Sequence, residues 1–130
     1  GDTVMGYRSQ VVLAISKHLI PFLTLKVTQN KAAESLVFAD ADTFDRDYDG
    51  DKSWLLVWDC IKWYESYEDI QALEKFIEEA CSDEYEFEIG GTAEASSEHI
   101  RFVKVGEESD DITTRGDGFW DIYPSTSINY

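Results

Sequence analysis

The chain has 130 residues and a formal charge of −16, from 27 Asp and Glu against 11 Lys and Arg. Its length suits one hydrophobic core, and with 43% apolar and 14% aromatic residues it lies far from the apolar-poor composition of disordered chains. A surface this negative repels phosphate backbones and anionic lipid, which argues against direct nucleic-acid or membrane binding and favours basic proteins or cations as partners.

A single globular domain is expected over residues 5–130, with Gly1 to Val4 read as residues left by an expression vector ahead of a natural start at Met5. Residues 7–15 (YRSQVVLAI) are β-branched and aliphatic and predict a buried first strand. Ser16 then stands where it can cap a helix over residues 17–28, whose Leu19, Phe22, Leu23 and Val27 share one face and whose Pro21 falls in the first turns. Asn30 is a second cap, opening a helix from Lys31 to about Phe38. Residues 39–52 (ADADTFDRDYDGDK) read as an acidic loop.

Residues 54–63 (WLLVWDCIKW) predict a central strand, with Leu56, Trp58, Cys60 and Lys62 on one face and Leu55, Val57, Asp59, Ile61 and Trp63 on the other. Ser66 and Asp69 resemble a capping box, and Ile70, Leu73, Phe76, Ile77 and Ala80 form an apolar stripe that predicts an amphipathic helix from Tyr67 to about Cys81. Residues 85–89 alternate as a half-solvated strand, residues 90–98 form a small-residue loop, and residues 99–105 alternate again. A last strand over residues 120–128 is interrupted by Pro124, which suits an edge. The order predicts an α+β fold: a mainly antiparallel mixed sheet of about five strands, with two or three helices on one face in a ferredoxin-like layout.

Cys60 in its apolar run and Cys81 at the end of a helical pattern read as small buried groups in a reducing compartment. No apolar run is long enough for a membrane span and no signal-peptide pattern stands at the start, so a cytoplasmic location is expected. Asp45, Asp47, Asp49 and Gly50 match the first half of a calcium loop. Lys52 and Leu56 depart from the second half, and a strand follows where a helix should. His18 and His99 lie on different predicted elements with no Ser or Cys motif beside either, so no catalytic residue is assigned and no resident cofactor is expected, Ca²⁺ at Asp45, Asp47 and Asp49 being the candidate exception.

Charge is clustered. Residues 34–51 hold seven acids against Arg46 alone, and residues 65–88 hold ten against Lys75 alone. If the loop packs beside the acidic helix face, the result is a continuous ridge of carboxylates matched to a basic groove. The partner-binding candidates are Asp40, Asp42, Asp45, Asp47, Asp49 and Asp51 in the loop and Glu68, Glu74, Glu78 and Glu79 on the helix, with Tyr64 and Tyr67 as aromatic anchors and Tyr48 beside them.

MGYRSQVVLAIS from Met5, LLVWDCIKWYESYEDIQALEKFI over residues 55–77 and IRFVKVGEESDDI over residues 100–112 resemble a group of small bacteriophage and prophage proteins. The loop over residues 90–99 is longer than in that pattern. The resemblance implies an accessory protein of the host cytoplasm that inhibits or modulates a defence or nucleic-acid-handling protein by direct binding, with its acidic surface imitating nucleic acid. The competing expectations are a divalent-metal-binding domain or hydrolase centred on residues 45–51, and a homodimer or larger homo-oligomer with a structural role.

Overall fold

The computed structural model describes residues 6–125 and 127–130. The expectations for Gly1 to Met5 lie outside the described residues. The first strand, β1 (Ser9–Ile15), is followed by α1 (Ile20–Val27), α2 (Lys31–Phe38), β2 (Thr43–Asp45), β3 (Trp54–Ile61) and α3 (Glu68–Cys81). The second half contains β4 (Glu86–Ile89), β5 (Thr92–Ala95), a 3₁₀ turn at Ser96–His99, β6 (Ile100–Val105), β7 (Ile112–Arg115), β8 (Tyr123–Pro124) and β9 (Ile128–Asn129). The fold is α+β, with a five-stranded antiparallel sheet in the order β2-β3-β1-β6-β7.

The sequence run VVLAI explains the centre of the sheet. Val11 to Ile15 are all buried, because β1 pairs with β3 on one side and β6 on the other while both of its faces are covered. Val11, Leu13 and Ile15 point into the helix-side core, where Leu23, Leu36 and the stripe Ile70, Leu73, Phe76, Ile77 and Ala80 meet them. Val12 and Ala14 point into a smaller core completed by Leu55, Val57, Val103, Ile122 and Ile128. The helices therefore lie on one face, and the C-terminal segment closes the other.

Local chemistry sets the helix starts. Asn30 caps α2 as expected, its side-chain oxygen accepting from the N–H groups of Ala32 and Ala33 at 3.0 and 3.1 Å. Ser16 does not cap α1: the helix begins at Ile20, and the Ser16 carbonyl accepts from the Leu19 N–H in an intervening turn. Nor does the Ser66–Asp69 capping box form, since Tyr67 is the extended N-cap residue and Asp69 accepts from the neighbouring Ile70 N–H.

The predicted strand over residues 54–63 is β3, next to the centre and not at it. Its alternation breaks after Trp58. Val11 faces Trp58, but Ser9, two residues back, faces Ile61, three residues on, so β3 carries an extra residue there. Such a bulge reverses which face later side chains occupy. Ile61 and Trp63 consequently join the helix-side core with Trp58, and Cys60, expected to be buried, is exposed.

Four other segments differ from expectation. The loop predicted over residues 90–98 contains β5, which returns antiparallel to β4 through Gly90 and Gly91, with φ of 60° and 81°. β2 lies inside the predicted acidic loop, and β7 forms an edge that periodicity did not reveal. The predicted last strand is the short β8–β9 hairpin, separate from the main sheet. Among the described residues no helix is long and apolar enough to cross a membrane.

Phe76 is fully buried at the meeting of α3 and the sheet, whereas Leu25 on α1 is 62% exposed. Phe76→Ala is expected to lower unfolding free energy by about 3–5 kcal/mol in urea titration, with Leu25→Ala within about 0.5 kcal/mol of the parent chain. Equal effects would overturn this assignment of the core.

Candidate functional site

The acidic loop braces itself. Asp45 Oδ1 accepts from the Asp47 N–H at 2.9 Å, and Asp47 Oδ1 accepts from the Lys52 N–H at 2.8 Å. Asp49 Oδ1 accepts from the N–H groups of Asp51 and Ser53, while its Oδ2 accepts from the Ser53 hydroxyl at 2.7 Å. Gly50 and Lys52, with φ of 76° and 65°, turn the chain left-handed between these carboxylates. At one end Asp42 Oδ2 accepts from the Asp59 N–H at 2.8 Å, and at the other Asp51 pairs with Lys17 at 2.9 Å. Asp40, Asp42, Asp45, Asp47, Asp49 and Asp51 are all exposed residues.

Two cations near the loop are engaged. Lys17 holds Asp51, and the Arg46 guanidinium lies 4.5 Å from the centroid of Phe44 and 5.6 Å from that of Trp54. Tyr48 is half-buried against Phe119, and burial followed by the charges of Asp121, Asp49 and Asp45 raises its hydroxyl above the ordinary tyrosine value. Among the described residues no group of three or more His, Cys, Asp or Glu side chains converges in a form that would hold a metal ion.

The helix acids divide into two sets. Glu78 is exposed, and the exposed Glu68 accepts from the Asn30 side-chain amide at 2.8 Å. Glu74 accepts from Trp63 Nε1 at 2.8 Å and pairs with Arg115 of β7 at 2.6 Å. Glu79 accepts from the Tyr85 hydroxyl at 2.8 Å and pairs with Lys26 at 3.4 Å. The Tyr85 hydrogen bond and the Lys26 charge hold its carboxyl below the usual range against the opposing effect of burial. Glu74 and Glu79 are therefore internal fasteners. Tyr64 is one as well, its hydroxyl accepting from the Tyr7 N–H at 2.7 Å, while Tyr67 remains 42% exposed.

The two acidic segments expected to form one ridge attach to opposite edges of the sheet. β3 and β6 flank β1, so the chain segment containing α3 has to carry from one side of β1 to the other. That passage leaves α3 fastened to the β7 edge through Glu74, while the acidic loop contains β2 and belongs to the opposite edge.

A second cluster was not visible in the sequence. Ile15 of β1 pairs with Ile100 of β6, so the residues just beyond them, Ser16 and His99, meet at the end of the sheet. The Ser16 Oγ lies 2.8 Å from His99 Nδ1, and His99 Nε2 lies 3.1 Å from Glu94 Oε1. Only the antiparallel register brings these residues together, and no local pattern announces it. No protein-family model, curated protein or solved structure matches the chain.

Burial pushes the Asp49 carboxyl up, but the hydrogen bonds from Ser53 and the Asp51 N–H outweigh it and hold it below the ordinary value. A depressed carboxyl stabilises the fold above its unfolded pKa of about 3.9 and loses that contribution as pH falls through the lowered folded value. Asp49→Ala is thus expected to cost about 1 kcal/mol at neutral pH in urea titration, the difference from the parent chain shrinking below pH about 4. A gap that stays constant into acid would contradict the bracing role. Because the loop carboxylates already serve their own backbone, millimolar Ca²⁺ is expected to leave Tm unchanged in calorimetry, and a rise of several degrees would instead support the calcium-loop reading.

Proposed function

We propose that this chain is a phage-encoded acidic accessory protein that acts in the host cytoplasm by binding a host protein with a basic surface, inhibiting or modulating it without chemistry at the contact. The observation that carries this reading is the braced loop over residues 40–51, where six exposed aspartates are held in place by hydrogen bonds or flank those that are. Fixing the charges before contact lowers the ordering cost of association. An array of fixed negative charges is also what a groove built for a nucleic-acid backbone would accept, so a defence or nucleic-acid-handling protein is the favoured partner class.

The division of the acids sharpens the proposed surface. Asp40, Asp42, Asp45 and Asp47, in and around β2, form its centre, and Asp49 and Asp51, which also line the cavity beside Ser16, complete it. Glu68, Glu78 and Tyr67 on and beside α3 are secondary candidates, and Glu74 and Glu79, already paired with Arg115 and Lys26, contribute to the fold more than to contact.

The test is quantitative binding to the host protein recovered by affinity capture. Affinity is expected to fall at least about tenfold as salt rises from about 50 mM to about 300 mM, because screened charge attraction supplies much of it. Replacing Asp40, Asp42, Asp45 and Asp47 together by Asn should reproduce that loss at low salt, while Glu78→Gln should leave affinity nearly unchanged. Binding indifferent to both salt and the fourfold variant would remove the proposal.

A further inference from the structure

The contacts of Ser16, His99 and Glu94 have a chemical direction. A carboxylate only accepts hydrogen bonds, so Glu94 fixes the proton of neutral His99 on Nε2 and leaves Nδ1 with a lone pair. The Ser16 hydroxyl, 2.8 Å away, then donates to Nδ1, while its oxygen accepts weakly from the His18 N–H at 3.3 Å. Nucleophile, base and orienting acid thus stand in one chain of hydrogen bonds. The imidazole is only 13% exposed and is held edge-on by Phe87, at 4.8 Å between centroids, and by His18, at 5.7 Å.

Access is on the correct side. Ser16 and His99 line a cavity of about 450 Å³ between the acidic loop and Phe119, whereas Glu94 is not part of its wall and engages the other ring nitrogen. Ser16 stands at the turn between β1 and α1, so its hydroxyl is carried on the end of the buried central strand of the sheet. The cavity wall includes Asp49, Asp51 and Glu98 against Lys17, which is already paired with Asp51. That balance excludes anionic ligands in favour of neutral or cationic ones.

We propose that Ser16, His99 and Glu94 form an acyl-transfer site that hydrolyses small neutral or cationic esters, an activity separate from association through the acidic loop. Ser16 Oγ bonds to the ester carbonyl carbon as its proton passes to His99 Nδ1 and the carbonyl π pair moves onto oxygen. Collapse of the tetrahedral adduct breaks the bond to the leaving oxygen, which departs as the alcohol with the proton from Nδ1. Water then attacks the acyl-serine, giving its proton to Nδ1, and expulsion of Ser16 Oγ, which recovers that proton, releases the carboxylic acid. Glu94 is a positioning residue that holds the tautomer and stabilises the imidazolium.

The full chain is treated with a fluorophosphonate, which labels activated serine hydroxyls, and is assayed with p-nitrophenyl acetate. Intact mass and peptide mapping are expected to show one adduct, on Ser16, and S16A is expected to lose both adduct and turnover. His99→Asn should slow both by about 100-fold, the contribution of a general base. Glu94→Ala should lower kcat with KM unchanged, a split that a purely structural bridge would not produce, with Tm recorded for every variant. An unlabelled Ser16 in the folded parent chain, or hydrolysis that persists in S16A, would overturn the proposal.

Discussion

The constraint on which the structure depends is the burial of β1 on both faces. Val11 to Ile15 carry no polar side chain, and each lies out of contact with solvent. A strand of this kind is stable only with a hydrogen-bonded neighbour on each side and an apolar layer above and below. β3 and β6 supply the first requirement, and the three helices and the C-terminal segment supply the second. The site geometry follows from the same requirement, because antiparallel pairing of β1 with β6 leaves Ser16 and His99 opposite one another once the ladder ends.

Features encoded within a few residues were legible in the sequence. The apolar stripe of α3 is buried residue for residue, and Asn30 caps α2 because side-chain oxygen and unpaired N–H groups are neighbours along the chain. Features that depend on partners far away were not. The β3 bulge arises from its register against β1, and a run of bulky residues reads as regular alternation until that register is known. β2 and β7, of three and four residues, are too short to show a period, and they are strands because a neighbour offers them a ladder. Gly90-Gly91 between alternating residues carries a hairpin signal, and the β4–β5 hairpin forms around it.

The candidate surface shows the same boundary. Composition located the acids, but not which of them the fold uses for itself. Glu74 meets Arg115 across 41 positions of sequence, and Tyr64 meets Tyr7 across 57. Half-buried carboxylates that accept charge-assisted hydrogen bonds contribute to stability, whereas exposed ones mainly set the long-range field. The excess of acids over bases thus has two separable roles, internal fastening at α3 and an external field at the β2 edge.

The short outer strands bear on how the molecule behaves in a crowd. An open sheet margin offers unpaired backbone groups to any passing chain, and long flat margins invite stacking into fibrils. Here one margin is three residues long, flanked by Asp42 and Arg46 and containing Asp45, and the other is four residues long and ends at Arg115. Neither margin of the main sheet offers a foreign strand a long ladder, and the shared negative sign keeps like molecules apart. The most adhesive structural element, β1, meanwhile stays sealed in the middle of the sheet.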